Sequence, residues 1–362
     1  MDLLNIKVCI FGLGFVGNSM YTSFKNKGMD ENNNLFGFDK FKNGGIGIMS
    51  DSLNCNIIFM ALPTMYNEIT GSYDKSAIYD CCEYLSKNNY AGLVVIKSTV
   101  EPETTDNLSL KYLNLSFVHN PEFLTAKTAY EDFHSQSHIV LGKSISCPES
   151  KLLILHKFYS TYFPNAEISI CSSLESESMK IFCNCFYSVK VQFFTELYLL
   201  TKSNNSDYNK IVKMMLKNNW INPMHTKIPG PDGQISYGGL CFSKDTNALN
   251  KYMETYNSPN KVLESCIKER NEMRNDNDNI IKKDEYIKIY NNPNKVLELC
   301  IKKKNEMIND NDNIIKKNKY IETYNIPNKV LELCIQERNE MMNDNDNIIK
   351  KDKYIETGAG HF

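Results

Sequence analysis

A cysteine placed two residues after a glycine pair is the first group in the chain equipped for covalent chemistry. Cys241 lies in Gly230-Pro-Asp-Gly-Gln-Ile-Ser-Tyr-Gly-Gly-Leu-Cys-Phe-Ser-Lys-Asp245, with Lys244 and Asp245 close behind it. Glycines allow positive φ and let the backbone come close to a ligand. A thiol held beside a cation and a carboxylate is placed to act as an activated nucleophile. The bland alternative is a surface turn that carries a buried cysteine, because a cysteine outside a disulfide commonly behaves as a small apolar residue.

A second constellation suits a phosphate ligand. The apolar run Lys7-Val-Cys-Ile-Phe11 opens into Gly12-Leu-Gly-Phe-Val-Gly17, which fits G-x-G-x-x-G. A helical stretch follows from Asn18 to about Lys27, then a second apolar run, Leu35-Phe-Gly-Phe38, ending in Asp39. Strand, glycine turn, helix, strand and acid come in the order of a dinucleotide-binding βαβ unit. The first glycine makes the turn, the second admits the pyrophosphate, the third packs helix on strand, and the helix start faces the phosphates. Asp39 follows Gly17 by 22 residues. There it can accept hydrogen bonds from a ribose 2′-hydroxyl, which favours NAD over NADP. Gly12, Gly14, Phe15, Val16, Gly17 and Asp39 are therefore the expected cofactor residues. The alternative is a glycine-rich βα turn that holds nothing.

Elements that could position these groups are legible along the chain. Strand-like runs recur at Asn56–Leu62, Gly92–Lys97, Leu115–Val118 and His138–Leu141. Continuous apolar strands alternating with helices predict a Rossmann-like, doubly wound parallel sheet of the α/β class, covered on both faces. Ligands bind beyond the carboxyl ends of such strands. That singles out Thr64, Ser98 and Thr99, although serine and threonine also simply begin turns. From about Ser172 to Ser203 one long helix is expected, free of internal Pro and Gly. Leu174, Met179, Phe182, Phe186, Val189, Phe193, Phe194, Leu197 and Leu200 form its apolar stripe. Lys180 and Asn184, four apart, share one face of it. A further helix is expected over Asp207 to Asn218.

The last third is a tandem array. Pro-Asn-Lys-Val-Leu-Glu recurs at Pro259, Pro293 and Pro327, a period of 34, and Cys266, Cys300 and Cys334 keep the same register. Each copy reads as a helix with proline at its first position, a polar turn and a second short helix. The aromatic and small-residue pattern of a tetratricopeptide is absent, so that assignment is rejected despite the matching period. The expected organisation is residues 1–171 for the NAD domain, 172–258 for a helical domain with the cysteine stretch, and 259–362 for helical repeats. The repeats suit either a partner-binding array for an unknown protein or a duplicated tail without a part in the chemistry.

Composition narrows the function further. The chain has 362 residues, net charge -2 and 42% hydrophobic residues. Nothing global points to nucleic acid or to a membrane, and no apolar run approaches the length of a membrane span. The 12 cysteines are scattered without metal-ligand spacing, so no metal and no disulfide scaffold are expected. The opening residues lead into a strand and not into a secretory signal, which predicts a cytoplasmic protein.

Five segments in order carry a resemblance. They are Lys7–Gly17, Ser98-Thr-Val-Glu-Pro-Glu-Thr-Thr105, Asn120-Pro-Glu-Phe-Leu124, Glu177-Ser-Met-Lys180 with Asn184 and Phe186, and Gly238-Gly-Leu-Cys-Phe-Ser-Lys-Asp245. Together they resemble the UDP-glucose 6-dehydrogenase / GDP-mannose dehydrogenase family over roughly residues 5 to 275. His225 with Ile228–Gly233 is similar to the short phage- and virus-type members, which lack the family's C-terminal nucleotide-binding domain. For a viral protein the compartment would be the host cytoplasm.

The resemblance implies a double oxidation of a sugar-nucleotide C6 alcohol to a carboxylate, with two NAD. UDP-glucose is the expected substrate, with GDP-mannose or a UDP-N-acetylhexosamine as alternatives. It implies Cys241 as the nucleophile, Lys180 and Asn184 at the oxyanion, Asp245 at the water, Thr99 at water or cofactor, and Thr64 at the cofactor. Glu122 would line the site, and Phe123, Leu124, Tyr237 and Gly238 would touch the sugar nucleotide. A homodimer through the long helix is expected from its broad apolar stripe. The chain departs from the family at Ala126, where a second glutamate usually serves as general base in thioester hydrolysis. Glu103 and Ser236 replace glycines, Ser243 replaces a proline, and Met65 replaces the second proline of a Pro-Thr-Pro turn. A scaffold that binds nucleotide but has lost turnover is the competing implication.

Overall fold

The computed structural model describes residues 6–125 and 127–274; the repeats beyond Arg274 and Ala126 lie outside the described residues. Two compact units are present. Among the described residues, one holds those from 6 to 184 with 247–252, the other 185–246 with 253–274.

The first unit is built on a seven-stranded sheet. Its strands are β1 (Val8–Phe11), β2 (Leu35–Phe38), β3 (Ile57–Met60), β6 (Leu93–Ile96), β7 (Ser116–His119), β8 (His138–Lys143) and β9 (Glu167–Ser172), in the order β2-β1-β3-β6-β7-β8-β9. A two-stranded hairpin, β4 (Tyr66–Asn67) and β5 (Ser72–Tyr73), stands apart. The central strands β1, β3, β6 and β7 have no solvent face. Val8 and Ile10 of β1 join one apolar cluster while Cys9 and Phe11 join another, and Ile57/Phe59 and Ile58/Met60 of β3 divide the same way. Alternation along each strand sends successive side chains to opposite faces. Continuous apolar runs are what two covered faces require.

The helices α1 (Phe15–Asn26), α2 (Ser76–Lys87), α3 (Thr104–Lys111), α4 (Ala129–His134) and α5 (Glu149–Tyr162) connect the strands. Phe24 of α1 meets the rings of Phe59, Phe133, Phe158, Tyr162 and Phe163, which closes the first core.

The expected parallel sheet is found, with one strand reversed and one strand that the sequence did not mark. β8 runs antiparallel to β7, with Val118 opposite Lys143 and His119 opposite Gly142. β9 is an edge strand of alternating, partly exposed residues with no continuous apolar run, so nothing in the sequence pattern marks it.

Helix α6 (Ser173–Ser203) has 31 residues, as its uninterrupted sequence demands, and spans about 46 Å. It starts in the first unit and continues into the second. The second unit adds α7 (Tyr208–Met215), part of α8 (Gly239–Thr255) and α9 (Lys261–Met273) around a core that includes Phe194, Tyr208, Ile235, Tyr237 and Cys266. In the described part of the first repeat, Asn260 is the helix N-cap, so Pro259 stands just outside the helix and not at its first position.

Both residues that replace glycines have left-handed backbones: Glu103 at φ 75° and Ser236 at φ 61°. Such a conformation costs a non-glycine residue about 1–2 kcal/mol. At Ser236 the side chain offsets this, since its hydroxyl donates to Gln192 Oε1 at 2.6 Å. Glycine's greater unfolded-state entropy takes back about 0.5–1 kcal/mol. Glu103→Gly is therefore expected to stabilise the protein by about 0.5–1 kcal/mol. A urea midpoint that is unchanged or lower would contradict this.

Candidate active site

The glycine turn sits where the strand order reverses, between β1 and β3, and each glycine has a distinct reason to be there. A Cβ on Gly12 would lie 2.5 Å from the Ala61 carbonyl oxygen, and one on Gly17 would lie 1.8 Å from the Gly12 carbonyl oxygen. A Cβ on Gly14 would meet nothing within 4 Å. Two glycines are thus required by the protein's own packing, and the middle one leaves open space beside the start of α1. Gly14 caps that helix without a side-chain bond, so its first amides face the space as anion donors. This cradle fits a dinucleotide pyrophosphate.

Asp39 does more than the sequence indicates. Its Oδ2 accepts the Leu13 amide at 2.8 Å, and its Oδ1 accepts the amides of Phe41 at 3.0 Å and Lys42 at 2.9 Å. Burial would raise its pKa, but the bonds from Lys42, Leu13 and Phe41 and the Lys42 ammonium hold the carboxyl below its ordinary value. A carboxylate has roughly four acceptor positions, so about one is left for a ribose. Lys42 Nζ also donates to the Leu13 carbonyl at 2.6 Å. Thr64 and Thr99 meet across the strand ends, the Thr64 hydroxyl donating to the Thr99 carbonyl at 2.7 Å. Ser98 has a structural task, accepting the Leu62 amide at 2.9 Å and donating to the Leu62 carbonyl at 2.7 Å.

A cluster of polar groups gathers at the ends of β6 and β7 and on the first turns of α6. Lys180 is 6% exposed; its Nζ stands 3.9 Å from Glu122 Oε1 and 5.1 Å from the centre of the Phe123 ring. Glu122 Oε2 accepts the Leu124 amide at 2.7 Å, which ties the carboxylate to its own segment. Asn184 is buried one turn along α6. Glu177, one turn before Lys180, accepts both the amide (2.7 Å) and the hydroxyl (2.5 Å) of Thr105. Burial outweighs those bonds and pushes the Glu177 carboxyl up to about 8.

Three members of this cluster escaped the sequence reading: Lys97, His119 and Tyr159. None stands in a motif: Lys97 follows an apolar strand, His119 ends another, and Tyr159 lies on a helix of mixed polarity. Burial, with Lys97 and Lys180 nearby, pulls His119 down to about 3, so its ring is neutral; Nδ1 lies 2.8 Å from Ser176 Oγ.

In the second unit Cys241 is exposed and is the third residue of α8. The glycine pair therefore opens a helix: Gly238 is the N-cap and Gly239 takes φ 76°. Asp245 is fully buried and pairs with Lys244 at 2.5 Å. The Tyr237 ring is enclosed in the second core, its hydroxyl 3.5 Å from Thr246 Oγ1, and Arg270 lies over its face. Gly238 is pressed against the Arg274 guanidinium, which also pairs with Asp232. The His225 and Phe242 rings meet edge to face, and the Tyr187 ring lies tilted beside both. Among the described residues no helix is long and apolar enough to cross a membrane.

Two family models match the chain. The NAD binding domain of the UDP-glucose/GDP-mannose dehydrogenase family matches residues 45–162, and its central domain matches residues 174–272. The chain belongs to the UDP-glucose/GDP-mannose dehydrogenase family. NAD is the cofactor of the matched domain, although the match begins after the glycine turn.

Similar proteins include the UDP-glucose 6-dehydrogenase of Rickettsia typhi, 31% identical over 60% of this chain and 50% of its own length. That of Campylobacter jejuni is 29% identical over 61% of this chain and 54% of its own length. The chain thus spans about half the length of the curated relatives it matches. In fold it is similar to a UDP-glucose dehydrogenase from Pyrobaculum islandicum, with TM-score 0.63 and 22% identity over 74% of this chain and 68% of that one. A UDP-D-ManNAc dehydrogenase from Pyrococcus horikoshii gives TM-score 0.58 and 19% identity, covering 73% and 68%. These likenesses reach both the sheet and the helical part.

Proposed function

We propose that this family member oxidises the C6 alcohol of a nucleotide sugar, UDP-glucose first among them, to the carboxylate. The observation that carries the reading is Cys241, exposed in the first turn of α8 within the matched central domain. A helix start favours negative charge, and the thiolate is the nucleophilic form of cysteine. NAD, when bound, supplies the hydride acceptor for both oxidations.

The chain's residues divide the remaining work. Gly12, Gly14 and the α1 start hold the pyrophosphate, Asp39 orients the ribose, and Thr64 and Thr99 shape the strand-end floor. Cys241 Sγ adds to the C6 aldehyde and forms a thiohemiacetal. Loss of the second hydride turns this into a thioester. Water then adds, releasing the carboxylate and returning the thiol. Lys180 and Asn184 donate hydrogen bonds to the oxygen as negative charge develops on it. Glu122 orders the water, while Asp245, enclosed and paired with Lys244, braces the helix behind Cys241.

Ala126 favours a second reading, in which hydrolysis stalls and the chain serves as a nucleotide-binding scaffold. The test is NADH production by the full chain with UDP-glucose, GDP-mannose and a UDP-N-acetylhexosamine, each against a Cys241→Ala control. A signal no higher than the control on every sugar ends the dehydrogenase reading. A persistent adduct on Cys241 by mass spectrometry supports the stalled one.

The assembly proposed is a homodimer through α6. Phe182 and Phe186, one turn apart, are 52% and 64% exposed, a costly arrangement for a single chain. Light scattering that gives the mass of one chain would refute it.

A further inference from the structure

Lys97 directly follows strand β6, and its side chain is almost wholly buried. Among the described residues its hydrogen bonds go to neutral acceptors: Asn120 Oδ1 at 3.2 Å and the Pro121 carbonyl at 3.0 Å. Asn120 is itself pinned. Its amide nitrogen donates to the Val140 carbonyl at 2.8 Å, and its Oδ1 also accepts from the Tyr159 hydroxyl at 2.5 Å. The Phe133 ring lies 5.8 Å from the Lys97 nitrogen. The next residue along the segment is Glu122, the carboxylate that faces Lys180.

We propose that Lys97 is a positioning residue for the Glu122–Lys180 pair, setting where the Glu122 carboxylate stands by clamping Asn120 and Pro121 from beneath. The role takes its chemistry from the dehydrogenase reading above but can be tested without it. The groups that face Lys97 are Glu122, which favours its charge, Lys180, which opposes it, and His119, which is neutral. Burial is the largest influence and pulls the Lys97 ammonium down to about 7. Bonds from an ammonium are charge-assisted and stronger than those from an amine. The clamp is therefore tight in mild acid and relaxes as the pH rises through neutrality.

Hydrogen exchange of the full chain, corrected for intrinsic rates, reads this directly. Protection of the Asn120–Leu124 segment in the wild type is expected to fall about tenfold from about pH 6 to about pH 8. In Lys97→Met it is expected to be low and level across that range. The wild-type series requires no variant to fold. A flat wild-type profile, or an equal fall in Lys97→Met, overturns the proposal. With nucleotide sugar and NAD, kcat/KM of the wild type is expected to show an inflection near neutrality that Lys97→Met lacks. The same inflection in both proteins would reduce Lys97 to a structural residue and overturn the role. If the wild type makes no NADH, the dehydrogenase reading falls, and exchange alone decides the fate of the Lys97 assignment.

Discussion

Cys241→Ala is expected to cut steady-state NADH production by a factor of about a thousand or more, as removal of a covalent nucleophile does. Without the sulfur the aldehyde cannot be held as a thiohemiacetal, and no thioester can form. The first oxidation needs no covalent bond to the protein, so a single slow release of NADH is the most that should remain. The variant should fold, because Cys241 is exposed and belongs to none of the three apolar clusters. Stopped-flow absorbance separates the outcomes. Steady turnover within about tenfold of wild type would remove Cys241 from the chemistry and leave α8 a purely structural helix.

Lys180→Ala comes next in size. A preorganised donor aimed at a developing oxyanion is worth about 100- to 1000-fold in kcat. The loss should appear in kcat more than in KM, because the interaction strengthens only as charge grows on oxygen. Lys180→Arg should restore little. A guanidinium is wider than an ammonium and forks differently, and Lys180 is confined between Glu122 and the Phe123 ring. A kcat within about threefold of wild type in Lys180→Ala would take the cation out of the catalytic step.

Much of this architecture could be read in the amino acids, for physical reasons that also explain the gaps. β1, β3 and β6 are apolar at every position because both faces are covered, and such runs stand out. α6 was legible because 31 residues pass without proline or glycine. β9 was not, since an edge strand half in solvent carries no continuous apolar signal. The reversed direction of β8 was not, because β7 and β8 are equally apolar whichever way they pair. The start of α8 was hidden by Gly238 and Gly239, residues that usually mark loops and here form the entry to a helix. Of the candidate site, the glycine turn and Cys241 stood out by type and spacing, Lys180 by sharing a helix face with Asn184, and Glu122 only through the family resemblance. Lys97 and His119 did not, because a single buried cation or imidazole acquires meaning only from neighbours brought in by other strands.

The carboxyl group of Glu177 crosses from the long helix to the first residues of α3, where it takes hold of Thr105. It therefore works as a latch between the stretch that carries Thr99 and the stretch that carries Lys180. Damage to it should reach both places at once. Variants at Glu177 or Thr105 would imitate the loss of catalytic groups without ever touching a sugar, and a mutational screen scored by turnover alone would count them among the chemical machinery.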